Sequence, residues 1–392
     1  MKAVICGGGI AGLAAAHRLA GLGWEVTVAE LAPGPRPQGY MIDFFGPGYE
    51  AATLMGLLPR LKEVGYRIRR FGYVNRAGHV TARMAYQQFE KAVDGRMVSI
   101  MRPDLEAVLR EAVTGSIDLR YGTSITEVSD EPDRVTVRFS DGGTAHADLL
   151  IGADGVHSRI RRLAFGPQEE YLRYLGLHTA AYVARDLDLT DELRDGFMLT
   201  DSVDRQMGAY ALRDGGTAVF TVHRTDDPGL PTHPRDHIRD VYSGLGWVTP
   251  RILDHAPEDA DIYYDQVAQI EMPTWHRGRI VLLGDACGAV SLLAGQGASL
   301  AIAGAYVLGG RLAAADSVET ALAQYEERWH AVTTERQETA RRGIDWFLPN
   351  SRGRLVMRRI AARLMRLPGL DRRFGNALIG KSRVSVGRLG DG

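Results

Sequence analysis

The chain has 392 residues, 45% of them hydrophobic and 24% charged, and a formal net charge of −1. That length predicts two domains, and the even charge excludes the excess that would point to nucleic acid or a polyanionic substrate. With only Cys6 and Cys287 a disulfide framework is excluded, and no signal peptide opens the chain, so a cytoplasmic protein is expected.

The first predicted element is a short strand from Lys2 to Cys6. Directly after it stand Gly7, Gly9 and Gly12 in the spacing G-x-G-x-x-G, with Ile10 and Ala11 inside the motif and a helix running on to about Leu22. Gly23 sits just past that helix as its C-cap, and a second strand, Glu25 to Glu30, completes a βαβ unit. In such a unit the first glycine permits the tight turn and the second lets the backbone approach a pyrophosphate. The third allows close helix–strand packing, and the helix N-terminus offers free N–H groups to the phosphates. Glu30 is placed to accept hydrogen bonds from a ribose. The unit therefore holds a dinucleotide, and NAD(P) and FAD fit it equally.

Further along, Pro33, Pro35 and Pro37 mark a loop around Arg36, and Asp43 closes Gly39-Tyr-Met-Ile-Asp43. The stretch Phe71 to Val80 predicts two short strands about a turn at Arg76-Ala77-Gly78. Arg102, in Met101-Arg-Pro-Asp-Leu-Glu-Ala-Val-Leu, stands just before a helix. A second motif follows: an apolar strand from Asp148 runs into Gly152-Ala153-Asp154-Gly155 and a basic helix start. Alternating apolar runs between Met207 and His223 flank Arg213-Asp214-Gly215-Gly216, a hairpin signal. The third motif is the strand Arg279 to Leu283 ending in Gly284-Asp285, after which Gly295-Gln296-Gly297 opens a helix of small residues. Asp285 is placed to hold a ribityl or ribose hydroxyl, and the Gly295–Gly297 turn can aim N–H groups at the electron-rich edge of an isoalloxazine ring. A long helix runs from Ser317 through Trp346, stopped by Pro349. No internal repeat or low-complexity linker is found. Charged residues are expected to break each apolar run short of the roughly 18 residues a membrane span needs.

The last segment is biased. From Ser351 onward there are ten Arg and one Lys against Asp371 and Asp391. Val356, Ile360, Leu364 and Leu367 recur at helical spacing, which predicts a helix packed on the body through them. Arg354, Arg358, Arg359, Arg363 and Arg366 would then form a solvated face. A weak membrane-surface contact through this basic helix is the alternative.

In this order and spacing the three motifs resemble those of the class A flavoprotein monooxygenases, the para-hydroxybenzoate hydroxylase family, over residues 2 to about 345. The likeness is strongest to the tetracycline-inactivating monooxygenases and their actinobacterial relatives. The resemblance implies FAD as cofactor, NADPH (or NADH) and O2 as co-substrates, and one oxygen atom transferred through a flavin hydroperoxide by hydroxylation, epoxidation or Baeyer–Villiger insertion. It also implies Glu30 on the adenosine ribose, Asp43 on the flavin side, Arg102 and Asp154 on FAD, Asp285 near the ribityl–pyrophosphate, and Arg36 towards NADPH. The protein would need no catalytic side chain of its own, because the hard chemistry is the cofactor's. Where the family has an alanine and a histidine followed by prolines, this chain runs Cys287-Gly288-Ala289-Val290-Ser291-Leu292-Leu293, which keeps a flavin-dependent reductase acting without oxygen incorporation as the alternative. Cys287 itself reads as a small buried thiol.

The expected fold is α/β: a discontinuous Rossmann-like FAD-binding domain (residues 1–75, 100–178 and 268–334), an inserted antiparallel-sheet substrate domain (76–99 and 179–267), and a C-terminal basic helical segment (335–392). The inserted sheet would roof a substrate cavity over the flavin. Met207, Tyr210 and Phe220 are candidate lining residues, with Leu292 and Leu293 beneath and Arg205 as a substrate contact. Such a pocket suits a hydrophobic polycycle, phenol, indole or terpenoid better than a small charged acid. Oligomeric state is left open.

Overall fold

The computed structural model describes every residue except 37–38, 85–89, 92, 194–195, 292–294, 365–384 and 392. A six-stranded sheet carries the three glycine motifs. Its order is His276–Arg277, Ile280–Leu282, Leu149–Gly152, Lys2–Cys6, Glu25–Ala29 and Asp118–Arg120. All neighbours are parallel except the edge pair His276–Arg277 with Ile280–Leu282. The strands leading into the third, second and first motifs are thus adjacent and point the same way. Parallel strands release their following loops along one edge, where ligands of such sheets bind. These strands are apolar along their length because both faces are covered: Ile5, Leu149, Leu150, Ile151, Val281 and Leu282 are all fully buried.

Helix Ile10–Gly21 packs against helix Gly297–Ala314. The latter corrects the expectation about apolar runs. Arg311 is its one charge, and by length and composition it could cross a membrane; here it is mostly buried in the core of the sheet domain. Helix Val318–Phe347 follows, its N-terminus capped by Ser317, whose hydroxyl accepts from the Thr320 N–H at 3.1 Å.

A seven-stranded sheet forms the second layer, in the order Tyr263–Ile270, Leu172–Ala184, Thr217–Arg224, Arg205–Ala211, Gly196–Ser202, Arg70–Val74 and Val80–Met84. It is antiparallel except where Gly196–Ser202 pairs in parallel with Arg70–Val74. Strand Arg70–Val74 belongs to it, so the boundary expected at 75 falls earlier. The boundary expected at 178 lies inside the long strand Leu172–Ala184. The hairpin turn at Arg213–Gly216 is as expected, with Gly215 at φ +84° and the Asp214 carboxylate accepting from the Gly216 N–H at 3.0 Å.

The two faces of this sheet have different covers. Helices Pro234–Tyr242 and Thr249–Asp254 lie on the outer face, over Met198, Met207, Tyr182 and Val219. Buried there, the His223 Nδ1 sits 2.9 Å from the Tyr242 hydroxyl, with the His178 and His237 rings 5.7 and 5.4 Å away and Tyr264 beyond them. Burial, reinforced by the neighbouring His237 and His178, lowers the His223 pKa from 6.5 to about 4. The unfolded chain therefore takes up a proton near pH 6.5 that the folded chain refuses until about pH 4. Stability should be complete above pH 6.5 and fall by up to about 3 kcal/mol on the way to pH 4. Denaturant titrations of wild type and His223→Phe across that window check this; the variant should lose most of the slope.

The C-terminal helix Arg352–Leu364 corrects the expected amphipathic facing. Arg358 is only 3% exposed, whereas Val356 and Ile360 are 53% and 51% exposed. The Arg358 guanidinium stacks on the Tyr73 ring at 4.4 Å and pairs with Asp201, and Arg359 reaches the same carboxylate at 2.8 Å. Leu367 and the Leu364 side chain lie outside the described residues. Helix Val386–Asp391 then packs on Gly297–Ala314 with Val386 fully buried, and Arg328 donates to the Leu389 carbonyl at 3.0 Å.

Candidate functional site

A cavity of about 770 Å³ opens along the edge where the three parallel strands end, bounded on its far side by the inner face of the seven-stranded sheet. It falls in the upper part of the roughly 300–1,000 Å³ range of ligand sites. Gly7, Gly9, Ile10 and Ala11 form one wall. Gly7 adopts φ +105°, a conformation open chiefly to glycine, and a Cβ there would strike the Ala153 carbonyl. Gly12 lies behind the wall, and a Cβ on it would strike the Gly7 carbonyl oxygen. A Cβ on Gly9 would meet nothing nearer than the Arg102 guanidinium at 3.8 Å, so the backbone of Gly9 is bare to the cavity.

Glu30 stands at one end of the cavity with its carboxylate locked by the protein. One oxygen accepts from the Gly8 N–H at 2.7 Å and the other from the Ala32 N–H at 2.8 Å. Arg36 pairs with it at 3.6 Å and lines the same end. Arg102 is the first residue of helix Arg102–Val113; its N–H donates to the Tyr40 carbonyl at 3.0 Å and its guanidinium pairs with the buried Glu106 at 3.0 Å. Asp43, on strand Met41–Phe45, accepts from the Ser99 hydroxyl at 2.7 Å. Asp154 also borders the cavity, but its carboxylate is engaged at a helix start: it accepts from Ser158 Oγ at 2.5 Å and from the N–H groups of Arg159 at 2.6 Å and Ile160 at 3.1 Å. The second motif also braces the third. Arg161, fully buried, donates to the Ala286 carbonyl at 2.8 Å and to Val156 at 2.6 Å.

Asp285 begins the short helix Asp285–Gly288 and opens onto the cavity. Enclosure by protein raises its pKa, and the charge of Arg102 opposes that shift. The helix Gly297–Ala314 begins beside it, behind Gly295 at φ +60°, so free N–H groups and the positive end of a helix face the same space. The Asp285 carboxylate is thus a ready acceptor for a ligand hydroxyl. Such a charge-assisted bond is worth about 1.5–3 kcal/mol. Asp285→Ala should fold normally and bind its cofactor about tenfold to a hundredfold more weakly, measured by fluorescence titration; unchanged affinity would remove Asp285 from the site. Cys287 is fully buried, raised in pKa by that burial, and does not border the main cavity.

On the sheet side, Tyr210 and Phe220 line the cavity as expected. Met207 and Arg205 do not. Side chains alternate across a strand, so Arg205 and Met207 share the outer face while Tyr210 points inward. Met207 is buried under the outer helices, and Arg205 donates to the Val241 carbonyl at 2.5 Å. Leu292 and Leu293 lie outside the described residues. The lining also includes Tyr40, Phe71, Phe197, Tyr263 and Phe347, which the sequence reading missed. Phe71 and Phe197 face each other from paired strands with ring centroids 5.5 Å apart, and Phe197 meets Tyr210 edge-on at 5.4 Å. Their aromatic character at alternating strand positions was the available signal. Among the charged groups, His157 and Asp265 pair at 3.2 Å at the cavity's rim.

The sequence profile described as FAD binding domain matches residues 1–340. A Mycobacterium tuberculosis protein of uncharacterised activity is 34% identical over 352 residues, covering 85% of this chain and 91% of its own length. A flavin-dependent monooxygenase of Legionella longbeachae is 31% identical over 322 residues, covering 81% of each chain. Among solved structures, the tetracycline destructase Tet(55) superposes with a TM-score of 0.80 at 27% identity, over 96% of this chain and 97% of its own.

Proposed function

The chain belongs to the FAD binding domain family and is an FAD-dependent monooxygenase, and from that premise we propose that it consumes NADPH or NADH and places one oxygen atom of O2 on a neutral, hydrophobic aromatic, polycyclic or terpenoid substrate. The observation that carries this reading is the aromatic lining: Phe71, Phe197, Tyr210 and Phe220 from the roofing sheet and Phe347 from the end of helix Val318–Phe347 all border the cavity. A flat apolar substrate gains area burial and ring stacking there, whereas an ionised one would lose its hydration against groups that return little. A role in natural-product biosynthesis or detoxification belongs to the same proposal, supported by the likeness to a tetracycline destructase.

The bare cradle at Gly9 and the ready acceptor at Asp285 fit FAD. The Gly7–Gly9 backbone and the N-terminus of helix Ile10–Gly21 would hold the pyrophosphate, and Glu30 the adenosine ribose. Asp285 would hold a hydroxyl of the ribityl chain, and the backbone from Gly295 to Gly297 the electron-rich edge of the ring. When bound, FAD supplies electron transfer to O2 and the reactive oxygen. The chain's own residues position and enclose. The helix N-terminus at Gly297 favours negative charge beside it, the two sheets exclude water from the reacting centre, and the aromatic roof sets which carbon is presented. Arg36, mostly solvent-exposed and tied to Glu30, is the proposed contact for the nicotinamide nucleotide.

The test follows NADPH oxidation by the purified yellow protein with candidate aromatic and polycyclic substrates, under air and under nitrogen. Substrate-stimulated, oxygen-dependent turnover with ¹⁸O from ¹⁸O2 in the product is expected. Full-rate turnover under nitrogen would replace this reading with a flavin-dependent reductase.

A further inference from the structure

We propose that the helix Arg352–Leu364 docks this protein on an anionic lipid surface, independently of which substrate it oxidises. The helix is amphipathic in an unusual sense. Arg358 turns inward to pair with buried Asp201, which the quarter-exposed Arg359 also reaches, while Arg354 pairs with Asp345 at the surface. Its aliphatic residues turn outward. Val356, Met357 and Ile360 are 53%, 57% and 51% exposed, and helical geometry places all three on one side within a single turn. Exposed Arg352 stands at the edge of that row. Trp346, itself exposed, ends the preceding helix nearby, where its carbonyl accepts from Arg358 at 3.4 Å. Single exposed apolar side chains are ordinary on protein surfaces; three together on one side of a helix form an interfacial pattern.

Charge selects the occupant. By sequence, residues 351–392 carry ten Arg and one Lys against Asp371 and Asp391, so this end of the chain is strongly positive in a protein of net charge −1. A second copy meeting the same face across a two-fold axis would set that positive charge against itself. A membrane rich in anionic headgroups accepts both features at once: apolar side chains enter the acyl boundary, and a basic chain end gains from the negative surface potential.

The experiment co-sediments the full-length, flavin-loaded protein with phosphatidylcholine vesicles and with phosphatidylglycerol-rich vesicles. Partitioning into the anionic vesicles should be at least about tenfold stronger and should weaken at high salt. The triple variant Val356→Glu, Met357→Glu, Ile360→Glu should lose that binding by about tenfold or more, while its melting temperature and flavin content stay at wild-type values. Failure to bind anionic vesicles, equal binding to both kinds, or unchanged binding by the triple variant would overturn the proposal. So would a wild-type dimer in analytical ultracentrifugation that the triple variant dissolves, or capture of an acidic protein in place of lipid.

Discussion

Gly12→Ala should emerge from purification without its flavin and with a lowered melting temperature. The methyl group would fall within bonding range of the Gly7 carbonyl oxygen, a backbone atom that cannot rotate away. Gly7 cannot retreat either, because its own Cα faces the Ala153 carbonyl at φ +105°. Either the helix Ile10–Gly21 moves off the sheet or the turn that cradles the pyrophosphate opens, and both cost affinity. A loss of at least about a hundredfold in flavin affinity, some 2.7 kcal/mol, is expected. Gly9→Ala separates the two effects. Its methyl group has 3.8 Å of clearance to Arg102, so the variant should fold with wild-type stability yet bind flavin more weakly, because the added carbon occupies the ligand's side of the wall. The 450 nm to 280 nm absorbance ratio and a thermal melt read both outcomes. Full flavin content in Gly12→Ala would show that the first motif does not hold the cofactor.

Asp201→Ala should destabilise the chain by about 3–5 kcal/mol, the cost of leaving a buried charge without its partner. The side chain of Asp201 is 1% exposed and that of Arg358 3%, so neither reaches solvent when the other is removed. Arg359, a quarter exposed, can turn outward and should matter less. Replacing the pair together, Asp201→Leu with Arg358→Met, should recover most of the loss, since well-packed apolar residues often match a buried ion pair. Denaturant unfolding of the three variants decides the point. Equal stability of Asp201→Ala and wild type would mean that the helix Arg352–Leu364 is not held through this carboxylate.

The contrast between this helix and the N-terminal unit explains what was legible. The strand–glycine–helix–strand pattern from Lys2 to Glu30 is built from neighbours within 30 residues of one another. Each part is demanded locally: a turn needs Gly7, a crossing needs Gly12, and a helix end needs Gly23. The facing of Arg352–Leu364 is decided by Asp201, more than 150 residues earlier, on the inner face of a strand in another sheet. Hydrophobic periodicity put Val356 and Ile360 inside because it weighs burial of carbon and has no knowledge of a buried acid waiting for a guanidinium. The strand Arg205–Ala211 failed differently. Both of its faces are covered, one by helices and one by the cavity wall, so its two sets of residues look alike in composition. Met207 and Tyr210 are three apart and must face opposite ways, yet nothing local says which way the cavity lies.

The sequence by itself therefore determined the dinucleotide cradle, the order of the three motifs and the α/β class, because each rests on backbone constraints that glycines and short spacings express directly; FAD in place of NAD(P) followed only from the family resemblance that the three motifs carry together. Only the tertiary structure decided that the three motif strands lie side by side, which sheet face roofs the cavity, that Asp154 caps a helix, and that Arg358 turns inward. Those outcomes depend on contacts between residues far apart in the chain, whose energies are set by the partner's burial and charge and leave no periodic trace in either segment.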